Sequence, residues 1–167
     1  MIGRLGKLPR QSDERNLRLA RYLDVHRLPP LPLSRAWSTA VGHYSLAAND
    51  RVGCCTISAA VHAIITWTAN NDRPLVVSDA DVLAAYAAVS GWTPQEPDSD
   101  RGATALAALR HWRTHGIGGH RILAFAEIDP QDHATVMQAV RLFGGVYLGL
   151  LLPDCARAED VWVCTSG

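Results

Sequence analysis

The chain has 167 residues, 48% of them hydrophobic, which is enough apolar material for the core of a single domain. Its formal net charge is zero and its pI is about 7.0, so the whole chain lacks the basic balance of a nucleic-acid-binding protein. The charges are unevenly distributed, because residues 1–35 carry eight basic and three acidic side chains, whereas the rest carries eight basic and thirteen acidic ones. A basic arm on an acidic body is expected to dock on its own domain or on a neighbouring subunit, unless it stays solvated.

No apolar run approaches the roughly 20 residues that a membrane-spanning helix needs, and residues 1–20 lack the apolar stretch of a signal peptide. Export by the usual route is therefore not expected. The four cysteines lie at positions 54, 55, 155 and 164, and this spacing does not form the paired C-x-x-C motifs of a zinc site. We expect free thiols, and neither a metal nor a cofactor.

The first elements in chain order are an arm and a buried helix. A short helix is predicted over residues 13–23, and three prolines between positions 29 and 32 then impose an extended path. Residues 49–53 are typical of a loop. A long helix should begin at Cys55 or Thr56 and end near Asn70, and its apolar positions wrap most of the way round. Such a helix is typically central and buried.

The second half of the chain is predicted to add the sheet. Ser78 is a favourable N-cap for a second helix, and Gly91 stands just past that helix's end. The later elements are a loop over 92–102, a helix over 103–115, a strand over 122–128, a helix from Asp129-Pro130 to about residue 143, and a buried strand over 146–152. This order predicts an α+β domain that is helix-rich early and gains its sheet late.

The segment before the long helix carries the most distinctive chemistry. A thiol at position 55 would lie at a helix N-terminus, where the helix dipole and unpaired backbone N–H groups favour the thiolate. The same N–H groups could stabilise the oxyanion that forms when the thiolate attacks a carbonyl, and Gly53 would let a substrate backbone approach. The alternative is that Cys54 and Cys55 are small apolar residues packed under a loop.

The segment from Asn49 to Ala60, in which Gly53-x-Cys55-Thr56 leads into an alanine-rich helix, resembles the nucleophile segment of papain-like cysteine peptidases. In that superfamily a Gly-x-Cys turn opens the central helix, and an amide side chain six residues before the cysteine lines the oxyanion hole. The resemblance implies that Cys55 is the nucleophile and that Asn49 supplies the amide, with Asn in place of the commoner Gln. Thr56 replaces the usual aromatic, a departure found in bacterial and phage relatives.

The resemblance covers residues 32–152 and is greatest with the bacterial and phage-borne branch of the superfamily. It divides the chain into a leader-like or arm segment, residues 1–31, and an incomplete papain-like domain, residues 32–167. That domain would have a helix-rich first lobe, with the buried helix after Cys55, and the start of a sheet lobe. Its implied peptide-binding residues are Gly53, Cys54 and Gly102, the last in a glycine-containing turn that borders the substrate cleft.

A cysteine peptidase also needs a base beside its nucleophile, and in the papain order a histidine follows the last strand that can be placed. The chain has no histidine after His133 and no asparagine after Asn71, so we expect the half-domain that holds both to be absent. His120 is the candidate substitute base, because two glycines precede it and an apolar strand follows. The order of elements argues against His120, because a helix and another strand follow it in the chain, at the place where the third catalytic group should come.

Three other histidines fit structural roles. His62 shares a helix face with Cys55 but lies seven residues along, roughly 10 Å down the axis, too far for a hydrogen bond. His111 and His115 have the i, i+4 spacing of zinc ligands, but the H-E-x-x-H glutamate is lacking.

The sequence leaves three functional hypotheses. The first is a thiol peptidase or amidase acting on a peptide or protein. The second is a non-catalytic structural or assembly module of the same fold, such as a phage virion subunit whose arm binds its neighbours. The third is a redox or scavenging thiol that uses Cys54 and Cys55. Because residues 146–152 would form an edge strand in need of cover, we expect a homo-oligomer or a subunit of a larger assembly. Its expected location is the cytoplasm or a virion, without direct binding to nucleic acid or membrane.

Overall fold

The structure, a computed structural model, describes residues 5–152, which form four α-helices and a two-stranded parallel sheet. The fold is therefore a mixed, helix-rich α+β arrangement. Its elements are β1 (Leu17–Arg18), α1 (Cys55–Ala69), α2 (Asp79–Ser90), α3 (Ala105–Thr114), β2 (Ala126–Glu127) and α4 (His133–Phe143), with short 3-10 helices at Leu19–Arg21, Val25–Arg27, Trp37–Ala40 and Pro97–Ser99. None of the helices in this part of the chain is both long enough and apolar enough to cross a membrane.

The core lies between α1, α2 and α3, each of which contacts the other two. The largest fully enclosed hydrophobic side chains are Ile57 and Val61 of α1, Val82 and Tyr86 of α2, and Ile117 in the turn after α3. Each large apolar side chain buried in this way stabilises the fold by about 1.5–3 kcal/mol. The predicted buried central helix is confirmed, since six residues on several sides of α1 are buried.

Local capping signals place the ends of α2 and α3. The Ser78 hydroxyl accepts a hydrogen bond from the Asp81 N–H (3.2 Å), and Gly91 ends α2 in the left-handed conformation at φ 76°. Thr104 caps α3 by accepting from the Ala107 N–H (3.2 Å). The predicted N-cap and terminating glycine of α2 are confirmed, and α3 is two residues later at its start than predicted.

The basic arm lies along the body of its own chain. The predicted helix over residues 13–23 is wrong, because this segment instead forms β1 and a short 3-10 helix. β1 pairs in parallel with β2, and Leu17 stands opposite Ala126. Arg10 forms an ion pair with Glu127 at 3.0 Å, and the same carboxylate accepts from the Asn16 side-chain amide at 2.8 Å. The intrinsic preference of the segment for a helix is overridden by pairing with residues more than 100 positions away.

The late sheet is smaller than predicted. Only Ala126–Glu127 of the expected strand over 122–128 is paired. The fourth helix begins at His133 rather than after Asp129, because the Asp132 side chain accepts from the Thr135 N–H and caps it there. Residues 146–152 are not a buried strand: the described chain offers them no strand to pair with, and most of their side chains are exposed.

Candidate functional site

The loop before α1 is a compact turn attached to the helix. Ala47 and Ala48 both adopt left-handed backbone conformations, at φ 48° and 60°, which favours glycine and is strained for alanine. The Ala47 carbonyl accepts a hydrogen bond from the Ser58 hydroxyl at 2.9 Å. This bond links the loop to the first turns of α1 and fixes where the helix begins.

Cys54 and Cys55 have different environments, although they are adjacent. Cys54 is fully buried, and its sulfur lies 3.5 Å from the Ala47 carbonyl oxygen and 3.4 Å from the Ser58 hydroxyl. Burial raises the pKa of the Cys54 thiol, and the contact with Ser58 opposes that rise. Cys55 is the first residue of α1 and is only half-buried. Cys54 is therefore a core residue, and of these two thiols Cys55 is the one that a reagent or substrate can reach.

An acidic side chain fixes the backbone just before the two cysteines. Both carboxylate oxygens of Asp100 accept from the Gly53 N–H, at 3.1 and 2.9 Å. The Tyr86 hydroxyl donates to the same carboxylate at 2.5 Å and accepts from the Gly102 N–H at 3.0 Å. Burial raises the pKa of Tyr86 to about 12, and the hydrogen bond to Asp100 adds to the rise. This cluster joins the two glycine segments that the resemblance assigns to the substrate cleft.

Tyr147 lies beside Cys55 and was missed by the sequence analysis. Its hydroxyl donates to the Thr56 carbonyl oxygen at 2.6 Å. Burial raises the pKa of Tyr147, and the neighbouring Cys55 contributes to the rise. The one signal in the sequence is that Tyr147 is the only side chain with a polar group in the apolar run 146–152. A buried tyrosine hydroxyl needs a hydrogen-bond partner, and here the partner is the first turn of α1.

Asn49, the predicted oxyanion amide, is half-buried in the loop before Cys55. Its side-chain oxygen is buried and has no hydrogen-bond partner among the described residues. Buried polar atoms without a partner are uncommon, and this carbonyl oxygen could still accept a hydrogen bond from a further donor. Within residues 5–152 no hydrogen bond joins Asn49 to Cys55.

His120, the candidate base, lies in a tight turn in which its backbone exchanges two hydrogen bonds with Ile117, each 2.9 Å. This turn follows the C-terminal end of α3, whereas Gly102, near Cys55 in the predicted cleft, precedes the start of α3. A helix of ten residues is about 15 Å long. The structure therefore does not place His120 beside Cys55. Among the described residues no hydrogen bond joins the two.

The other histidines also have other contacts. The His62 ring nitrogen bonds the Ser45 carbonyl oxygen at 2.8 Å, and the ring packs edge-on against Tyr44. The His111 and His115 rings stack with their centroids 4.9 Å apart. All seven histidines of the chain lie within residues 5–152, and no hydrogen bond in that part joins any of them to Cys55.

The comparisons with known proteins found no matching family model, and no curated protein or solved structure that is significantly similar to this chain. The resemblance to papain-like peptidases therefore stays a prediction from the residues. The function is argued below from the arrangement of the site.

Proposed function

We propose that this domain carries the nucleophile of a papain-like cysteine peptidase or amidase, in which Cys55 attacks a peptide or amide carbonyl. The observation that carries the proposal is the position of Cys55. It is the first residue of α1, half-exposed, and preceded by a backbone that Asp100 holds through the Gly53 N–H. The first N–H groups of a helix have no partner within the helix, and they favour both a thiolate and an oxyanion.

The proposed chemistry is acyl transfer. The Cys55 sulfur forms a bond to the carbonyl carbon, the carbon–nitrogen bond breaks, and the amine leaves after a general acid has given it a proton. Water then hydrolyses the thioester and regenerates the thiol. The Cys55 N–H and the side-chain NH2 group of Asn49 would hold the oxyanion, because only donors can stabilise it.

The proposal requires a base. Since none of the seven histidines is hydrogen-bonded to Cys55 within the described residues, the imidazole would come from a second chain or from outside these 167 residues, or His120 would have to move. The isolated chain is therefore expected to be a poor enzyme. Its thiol should nevertheless be selectively reactive.

We expect iodoacetamide to alkylate Cys55 at least about ten-fold faster than Cys54 in the folded protein. Cys55 is accessible at a helix start, whereas Cys54 is buried and burial raises its pKa. Fragment-ion sequencing of the peptide that contains both residues would give the two rates.

Two matched variants separate the thiols. Cys54→Ser should keep the fast reaction and Cys55→Ser should remove it, while unfolding in urea should make the two rates similar. If Cys55 in the folded protein reacts no faster than Cys54, or no faster than it does in the urea-unfolded chain, the thiol is not activated and the peptidase proposal is rejected.

A second candidate function is an assembly module, such as a virion subunit, and exposed apolar side chains support it. In residues 146–152, Leu148 and Leu150 are 61% and 60% exposed, and Leu151 is fully exposed. Phe143, at the end of α4, is half exposed. Clustered apolar exposure of this kind is typical of surfaces that associate.

For this second function we expect the protein to self-associate as its concentration rises, as measured by sedimentation equilibrium. Leu148→Asp combined with Leu150→Asp should shift the chain toward monomer, because burying a carboxylate at an apolar interface is unfavourable. Leu33→Asp is the matched control, since Leu33 is fully exposed at a different place in the chain. A wild-type chain that stays monomeric at high concentration would contradict association with itself.

A further inference from the structure

The start of the arm lies directly on the predicted cleft. The Gly6 carbonyl oxygen accepts from the Ala103 N–H at 2.8 Å, and the Leu8 N–H donates to the Ala103 carbonyl at 2.9 Å. These two bonds form a parallel β-bridge between Lys7 and Ala103. An extended segment paired in this way through its backbone is the geometry by which many domains bind peptides.

Glycine is required on both sides of this contact. A Cβ atom on Gly6 would overlap the Gly53 carbonyl oxygen, and a Cβ on Gly102 would overlap the Gly6 carbonyl oxygen. A Cβ on Gly53 would lie 3.2 Å from the Gly6 Cα atom. A side chain therefore has no room at position 6 or at position 102, and any other segment seated here would need glycine where Gly6 lies.

Side chains of the arm also attach it to the body of the chain. The Lys7 side chain packs over Gly149, where an added Cβ would overlap it, and its ammonium group donates to the Leu8 carbonyl at 3.2 Å. Farther along, Arg10 pairs with Glu127 at 3.0 Å. The basic arm thus meets an acidic group of the body, and the charge distribution of the sequence fits this docking.

We propose that the groove bounded by Gly53, Gly102 and Ala103, called here the glycine groove, is a binding site for an extended, glycine-containing peptide. Residues 5–8 of this chain are its resident ligand. The proposal deepens the proposed function by naming its substrate class, since Gly53 lies two residues before Cys55. The binding itself requires no chemistry at Cys55.

The resident segment competes with any external peptide. Because it is tethered, its effective concentration at the groove is in the millimolar range or above, and a free peptide must exceed this to displace it. Loosening the segment should therefore open the groove to a free peptide. Gly6→Ala does this, because the methyl group would overlap Gly53.

The test measures peptide binding by fluorescence anisotropy in a Cys55→Ser background, where no acyl transfer can occur. The probe is a fluorescein-labelled peptide with the sequence of residues 5–10, Leu-Gly-Lys-Leu-Pro-Arg. We expect the Gly6→Ala chain to bind it at least about ten-fold more tightly than the chain with the native arm. The peptide Leu-Ala-Lys-Leu-Pro-Arg should bind the opened chain at least about ten-fold more weakly.

Two controls keep the result interpretable. Gly145→Ala adds a methyl group where nothing lies within 4 Å and should leave peptide binding at the native level. Arg10→Glu loosens the arm without touching the groove and should produce a smaller opening, even if Gly6→Ala folds poorly. Equal binding of the two peptides, or no binding to either loosened chain at about 1 mM peptide, would overturn the proposal. Binding without cleavage by the Cys55 enzyme would contradict only the peptidase function.

Discussion

Replacing Tyr86 by alanine is expected to lower the free energy of unfolding by about 3–5 kcal/mol, and replacing it by phenylalanine by about 1–3 kcal/mol. The ring is fully buried between the helices of the core and lies 5.8 Å, centroid to centroid, from the Trp92 ring. Alanine would leave a cavity of nearly the whole side chain. Phenylalanine would keep the ring and remove only the hydroxyl.

The Tyr86 hydroxyl matters because it forms hydrogen bonds with two groups at once. Without it the N–H of the buried Gly102 loses its acceptor, and the Asp100 carboxylate loses the hydrogen bond of 2.5 Å that Tyr86 donates. A buried donor left unpaired is more costly than the net value of the bond that it made. The loss should also weaken the hydrogen bond that the Gly53 N–H donates to the same carboxylate.

Urea unfolding followed by circular dichroism would measure both variants, with Tyr22→Phe as the control at an exposed tyrosine. Burial raises the pKa of Tyr86 to about 12, above the usual 10, so its stabilising effect is complete below pH 10 and disappears as pH rises toward 12. The wild-type advantage over Tyr86→Phe should therefore shrink by roughly 2 kcal/mol across that interval. An advantage independent of pH, or no loss in Tyr86→Phe, would show that the hydroxyl does not hold this cluster.

Replacing Gly102 by alanine is the second change with a large expected effect, about 2–5 kcal/mol of lost stability. Gly102 has φ 78°, and an alanine in this left-handed region costs about 1–2 kcal/mol from its backbone alone. The new methyl group would also overlap the Gly6 carbonyl oxygen, and overpacking of this kind adds about 1–3 kcal/mol.

Gly91→Ala is a closely matched control. Gly91 has φ 76°, nearly the same backbone conformation, but nothing lies within 4 Å of the position of an added Cβ atom. The difference between the two variants in urea unfolding therefore isolates the contact with the arm. Hydrogen exchange should also show faster exchange of the Leu8 N–H in Gly102→Ala alone, because its bond to Ala103 depends on the seated arm. Equal losses in the two variants would mean that the arm makes no stabilising contact there.

The helices were predictable from the sequence wherever their ends are encoded by neighbouring residues. α1 begins at Cys55 as expected, and Ser78 and Gly91 place α2, because capping depends only on residues within one turn of the helix end. The early start predicted for α4 was wrong because two aspartates compete as caps, and the pattern alone does not show that Asp132 prevails over Asp129.

Contacts between distant residues were not predictable in this way. The pairing of Leu17 with Ala126 and the bond from Tyr147 to Thr56 each join residues about a hundred positions apart or more. The sequence placed Cys55 at the start of α1, because that start has a local pattern. It did not reveal that Gly6 would lie between the two glycine segments, since a lone glycine in a basic arm has no periodicity to interpret.

The meeting of Gly6, Gly53 and Gly102 has a consequence for how this chain can vary over evolutionary time. A side chain gained at position 6 or 102 would overlap backbone atoms of the facing segment, whereas one gained at position 53 would meet its nearest neighbours at 3.1 and 3.2 Å. If the arm were lost, a Cβ atom at position 53 would still lie 3.1 Å from the Asp100 carboxylate, so the constraint at that position would change little. Position 102 would still favour glycine for its backbone. Chains descended from this one should therefore need glycine at position 6 only while the arm is seated, and should favour glycine at position 102 in either case.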